Sequence, residues 1–263
     1  MSSARLTLGT FNVLNLVPGS TSEMRHFFYK AETRQSYWAG DEGDSGLSAY
    51  AEKLQWLARQ IDLLDCDAIA FQEVFDEAPL REAIAMSSWG QHPFTLVMGG
   101  EPSFQDTNFN GTPARVYNKP RVALLVRGDW QVESEVLDSF PPEFDFHQPL
   151  VGRDGLERTF VYATDGETVS RMYRPALRCV LTLPEWSERL QGVPEGERGQ
   201  VVVYAAHFKS KAPMADRSDS GNSVEKARRY ARENVLGAAR SAMIRSVDAA
   251  AIRWRIIDDL ERA

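Results

Sequence analysis

The chain opens on an alternation of strand period. Over residues 6–13, LTLGTFNV, the side chains of Leu6, Leu8, Thr10 and Asn12 share one face. Residues 15–47 break that pattern with Gly, Ser, Asp and aromatics, and predict a long loop. The period then lengthens. Leu54, Leu57, Ile61 and Leu64 recur at helical spacing, which predicts a helix ending at Leu64 with Ser48 placed to cap its start. DAIAFQEV (67–74) is a short apolar run that turns polar abruptly, as a buried strand does where its end opens into a site. A short helix is expected at 79–86 and strands at 94–98 and 121–127, with the Gly- and Asn-rich stretch 99–118 read as a loop between them.

Clusters of Pro, Asp and Gly make 138–158 mostly loop, and two further strands are expected at 176–184 and 200–208. A polar stretch follows, and from Ser223 onward the pattern is helical. There Ala239, Met243, Val247, Ala250, Trp254 and Ile257 define an apolar face that calls for a sheet to cover it. Strands in runs, with helices early and late, predict an α/β chain of the α+β kind. Its expected architecture is two packed mixed sheets with helices outside, a four-layer αββα sandwich, rather than a regularly alternating parallel sheet.

Composition narrows the class. The 263 residues are 43% hydrophobic and 25% charged, ordinary for a globular domain and unlike a disordered chain. No apolar run reaches the roughly 18 residues of a membrane span. The net charge of −7 argues against tight, unspecific duplex binding, where phosphate neutralisation supplies the affinity. Cys66 and Cys179 are too few for a disulfide framework and have no zinc-ligand spacing; both read as small core residues. The first residues lack a basic region followed by an apolar one, which predicts a reducing, cytoplasmic setting.

Three polar residues stand where apolar strands end: Asn12, Glu73 and His207. A carboxylate after an apolar run is costly unless it is paired or binds a cation. Taken singly, Glu73 reads as a surface residue, Asn12 as a turn or cap, and His207 as a satisfied buried imidazole. Taken together they suit hard-cation chemistry. Carboxylate and amide oxygens fit magnesium or manganese, and an imidazole can donate to a phosphate oxygen or carry a proton.

TFNVLNL (10–16), AFQEV (70–74) and AAHFKSK (205–211), in that order, resemble the endonuclease/exonuclease/phosphatase superfamily. These are metal-dependent phosphodiesterases and phosphatases, pancreatic-type deoxyribonuclease among them. KPRVALLVRGD (119–129), RPALRCVLTL (174–183) and ARSAMIRSVDAAAIR (239–253) extend the resemblance over residues 5–255. The resemblance implies an Mg2+ or Mn2+ site with Asn12 and Glu73 at the metal positions, Glu73 as direct ligand, and with His207, as the histidine that meets the scissile phosphate, catalytic together with Asn12. The implied partner is a phosphodiester, nucleic acid included. Gln72 becomes a neighbour of the metal ligand. Lys209 and Lys211 either hold a phosphate as point charges or are solvated. Arg178 either turns toward the site or takes an internal ion pair, and Arg240 and Arg245 read mainly as a solvated helix face. Aromatics of the 15–47 loop, Phe27, Phe28, Tyr29, Tyr37 and Trp38, either stack on a base or pack within the loop.

The superfamily pattern continues with a strand ending in Gly-Asp-x-Asn and a terminal Ser-Asp-His. This sequence has neither: Gly128-Asp129 runs into Trp130 and Gln131, and no histidine follows His207. The favoured expectation is a single domain over 1–263, truncated at its C-terminus with its second sheet incomplete. The alternative is a non-catalytic binding or regulatory protein on the same scaffold.

Overall fold

The computed structural model describes residues 6–19, 47–109, 112–117, 119–128, 130–141, 150–151, 157–158, 171–183, 199–208 and 223–262. The chain divides into two compact units, residues 1–136 with 175–207, and residues 137–174 with 208–263. The fold is of the α+β class.

In the first unit, β1 (Leu8–Leu16), β2 (Ala68–Val74), β3 (Phe94–Met98) and β6 (Arg121–Arg127) form a mixed sheet in the order β1-β2-β6-β3. β1 and β2 are parallel, while β6 runs antiparallel to both β2 and β3. The central strand β6, RVALLVR, is buried along nearly its whole length, as its unbroken apolar run requires of a strand covered on both faces. Helices α1 (Leu47–Leu64) and α2 (Glu77–Met86) cover one face. Tyr50, Leu54, Leu57 and Ile61 of α1 meet Ile69 and Phe71 of β2 in one core, with Leu80 and Ile84 of α2. Fully buried leucines and isoleucines of this kind contribute about 1.5–3 kcal/mol each. The helical face read from the sequence is therefore the packed face. The helix begins at Leu47, which puts Ser48 inside the first turn rather than at the cap.

The other face of this sheet meets a second one. β10 (Arg171–Thr182), β11 (Val201–Ala205) and β7 (Gln131–Ser139) are ordered β11-β10-β7, with β10 and β11 antiparallel. Ala68, Val122, Leu124 and Val126 of the first sheet share a core with Leu177, Cys179, Leu181 and Ala205 of the second. Helices, sheet and sheet thus make three stacked layers. The Cys179 thiol lies inside this core, and burial pushes it up to about 12, so it behaves as a small apolar residue.

Two stretches read as loops hold strands. β4 (Phe104–Phe109) and β5 (Thr112–Tyr117) pair as an antiparallel hairpin within 99–118. Their alternation is mostly polar, which hid it, yet Asn110-Gly111 between them is a strong hairpin signal. In 138–158, Ser139 belongs to the end of β7, and the short strands β8 (Leu150–Val151) and β9 (Glu157–Arg158) pair with each other. β7, QVESEVLDS, is charged and exposed, a composition that protects a sheet edge.

The second unit contains α3 (Ser223–Arg262). Its buried stripe is Ser241, Ile244, Asp248, Ala251 and Ile252. The stripe expected from the sequence is not the buried one: Ala239, Ala250, Trp254 and Ile257 are exposed, and Met243 and Val247 are half-buried. Small and polar residues hold the packed face, where Asp248 Oδ1 accepts the backbone N–H of Tyr173 at 3.3 Å. No helix among the described residues is long and apolar enough to cross a membrane.

Candidate functional site

Two register breaks build the site. β1 and β2 pair regularly up to Asn12 opposite Gln72, and the next pair is Leu16 opposite Val74. Between those pairs β1 places Val13, Leu14 and Asn15 where β2 places Glu73 alone. The β2–β6 pairing slips at the same point, from Gln72–Val122 to Val74–Arg121, so Glu73 is the extra residue of a bulge. Leu14, Asn15 and Glu73 all adopt left-handed backbone, with φ of 53°, 56° and 65°. Such conformations cost about 1–3 kcal/mol each for a non-glycine residue and persist only where neighbours over-determine them.

The neighbours are on hand. Asn12 Oδ1 accepts the Leu14 N–H at 2.9 Å, a side-chain turn closed two residues on. Glu73 Oε2 accepts the Asn15 N–H at 3.1 Å, and Asn12 Nδ2 donates to Glu73 Oε1 at 3.0 Å. Lys53 of α1 reaches the same turn, its Nζ donating to Leu14 O at 2.5 Å and lying 3.5 Å from Asn15 O. That lysine is only 1% exposed. Burial pulls its ammonium down to about 7, and the Glu73 charge opposes the shift.

Downstream of Glu73 the chain is clamped. The Phe75 N–H donates to Leu16 O at 3.0 Å, and Arg121 Nη2 donates to Phe75 O at 3.2 Å. Asp76 caps α2 through the Ala78 N–H at 3.0 Å and accepts the Tyr117 hydroxyl at 2.8 Å. Burial, then the hydrogen bond to Asp76, pushes that hydroxyl up to about 12.

His207 stands two residues past the end of β11, and its Nε2 is 3.5 Å from Glu73 Oε1. The His207 and Glu73 side chains are 17% and 20% exposed, so the pair is largely sheltered. The three residues singled out at strand ends in the sequence therefore meet at one carboxylate.

The donor set decides which cation fits. Among the described residues no three His, Cys, Asp or Glu side chains come together as a metal-holding group. One fixed carboxylate suits Mg2+ or Mn2+, which bind through one or two carboxylates and keep several waters. Asn12 turns its amide nitrogen to Glu73 and its oxygen to a backbone N–H, so in this arrangement it orients the carboxylate rather than offering a donor oxygen.

The other sequence candidates lie elsewhere. Gln72 Nε2 donates to Thr10 Oγ1 at 2.9 Å, away from the Glu73 carboxylate. Arg178 lies opposite Tyr204 in the β10–β11 ladder and alternates with Leu177 and Cys179, which fill the inter-sheet core. Lys209, Lys211 and the loop aromatics lie outside the described residues. Lys53 was missed by sequence reading, although its spacing from Tyr50 and Leu57 places a cation on the apolar face of α1.

No family model matches the chain, and no curated protein matches it. Among solved structures, it is similar to a functionally unknown conserved protein from Enterococcus faecalis V583, at 10% identity and a TM-score of 0.35. The likeness covers 77% of this chain and 53% of that one, so the chain spans about half that protein's length.

Proposed function

We propose that the chain holds the metal and phosphate end of a divalent-metal-dependent phosphoesterase acting on a phosphodiester, nucleic acid among the candidate substrates. The observation that carries this reading is the meeting of Asn12, Glu73 and His207 around a carboxylate set in a left-handed bulge. Perturbed, strained positions of this kind concentrate at functional sites.

Glu73 holds Mg2+ or Mn2+, with Asn12 fixing the carboxylate rotamer. A bound divalent ion supplies neutralisation of charge on a phosphoryl oxygen. His207, on the Oε1 side of Glu73, donates Nε2–H to a phosphate oxygen and so holds the ester for in-line attack by water. Lys209 and Lys211 are proposed as outer phosphate contacts. Both cysteines are free thiols, which accords with a reducing, cytoplasmic setting.

A second reading is a binding or regulatory protein on this scaffold, in which the same three residues hold a ligand without turnover. Hydrolysis of bis(p-nitrophenyl) phosphate with Mn2+ separates the two. The phosphoesterase reading predicts metal-dependent release of p-nitrophenolate that falls to background in Glu73→Ala with the fold retained. Metal-dependent binding of a phosphorothioate diester without turnover selects the binding reading, and an unchanged rate in Glu73→Ala rejects Glu73 as the metal ligand.

A further inference from the structure

Lys53 is a buried cation from the helix layer beneath the site. Burying an ammonium is costly, and lysine is almost never fully buried unless its charge is met. Here Nζ meets the carbonyl oxygens of Leu14 and Asn15, the two residues of β1 that hold left-handed backbone. The N–H of Asn15 in turn donates to Glu73 Oε2. The chain of contacts runs from α1 through a strained turn to one oxygen of the carboxylate.

We propose that Lys53 is a positioning residue: by gripping the carbonyls of Leu14 and Asn15 it holds the turn whose N–H groups fix Asn12 and Glu73, and so sets the affinity of the site for a divalent cation. The inference rests on the reading of Glu73 as a metal ligand. Two roles for a nearby cation predict opposite signs. A lysine acting only through its charge repels the metal, so neutralising it tightens binding. A lysine acting through the turn weakens binding when lost, because the carboxylate is no longer held.

The test compares Lys53→Met and Lys53→Gln with the native protein, using Mn2+ alone as the probe. Electron paramagnetic resonance gives the Mn2+ affinity, thermal unfolding gives Tm, and amide hydrogen exchange reports on Leu14 and Asn15. Lys53→Met is expected to keep its fold and a Tm within a few degrees of native, because methionine fills the space without a buried charge. Its Mn2+ affinity is expected to fall about 10-fold or more, the usual scale for groups supporting a ligand, with faster exchange at Asn15. Lys53→Gln, neutral but still a donor, should recover part of both losses. Mn2+ affinity equal to or tighter than native in Lys53→Met overturns the proposal, as does unchanged exchange at Leu14 and Asn15. If native Mn2+ binding does not depend on Glu73, the metal reading fails and the link to affinity with it; exchange then decides the grip on the turn alone.

Discussion

At the scale of single residues, Glu73 gathers what the rest supply. Its Oε1 faces Asn12 Nδ2 and His207 Nε2, and its Oε2 takes the Asn15 N–H. Hydrogen bonds to a charged acceptor are among the stronger ones, and the two from Asn12 and Asn15, one to each oxygen, leave the carboxylate little rotational freedom. His207 has a different task from Asn12. It is adjacent to the carboxylate at a longer distance and reaches it from another sheet, and in the proposed phosphoesterase reading it meets the phosphate rather than orienting Glu73. His207→Ala is therefore expected to lower turnover of a phosphodiester by about 10²-fold or more, the scale of a lost proton donor, while Mn2+ affinity changes less than threefold. Parallel steady-state kinetics and Mn2+ titration check this, and equal losses in both would assign His207 to the metal instead.

At the scale of elements, strands were more legible than the irregularities that make them useful. AFQEV shows a strand ending in polar residues, but nothing in its composition shows that Glu73 sits in a bulge. The bulge arises because β1 must fit three residues opposite one, a long-range pairing invisible to a local period. The hairpin of β4 and β5 escaped because its faces are polar, while the apolar stripe on α3 was misplaced because small residues and one aspartate pack more closely than Trp254 or Ile257.

Asp248 on α3 makes a test at the same scale. It is 2% exposed, and burial raises its carboxyl to about 6, offset in part by the Tyr173 N–H and the Arg174 charge. A carboxyl raised in the folded state favours folding fully below its unfolded value near 4, and that contribution is lost as pH rises through about 6. Relative to Asp248→Asn, the native protein should therefore lose about 2–3 kcal/mol between pH 4 and pH 7, from roughly two pKa units at 1.36 kcal/mol each. Urea unfolding across that range measures it, and parallel pH curves for the two proteins would refute the burial argument.

At the scale of the molecule, the α+β class and the positions of its main strands along the chain were readable because periods of 2 and 3.6 survive in isolation. Packing of the two sheets followed from the short apolar runs at β2, β6, β10 and β11, which need cover on both faces. The candidate site was legible in Asn12, Glu73 and His207, polar residues that follow apolar runs in the sequence, and not in Lys53, whose meaning comes only from the turn above it. The fold brings residues 12, 73 and 207 together at one carboxylate, and the central claim is that this carboxylate binds a hard divalent cation. A Mn2+ titration of the native protein against Glu73→Gln tests it most directly, because glutamine keeps the size of the side chain and removes its charge, at the cost of turning one of its two acceptor oxygens into a donor. The account predicts one saturable Mn2+ site in the native protein and binding about 10-fold weaker or worse in Glu73→Gln, at matching circular dichroism and Tm. Equal Mn2+ affinity in the two proteins would contradict it.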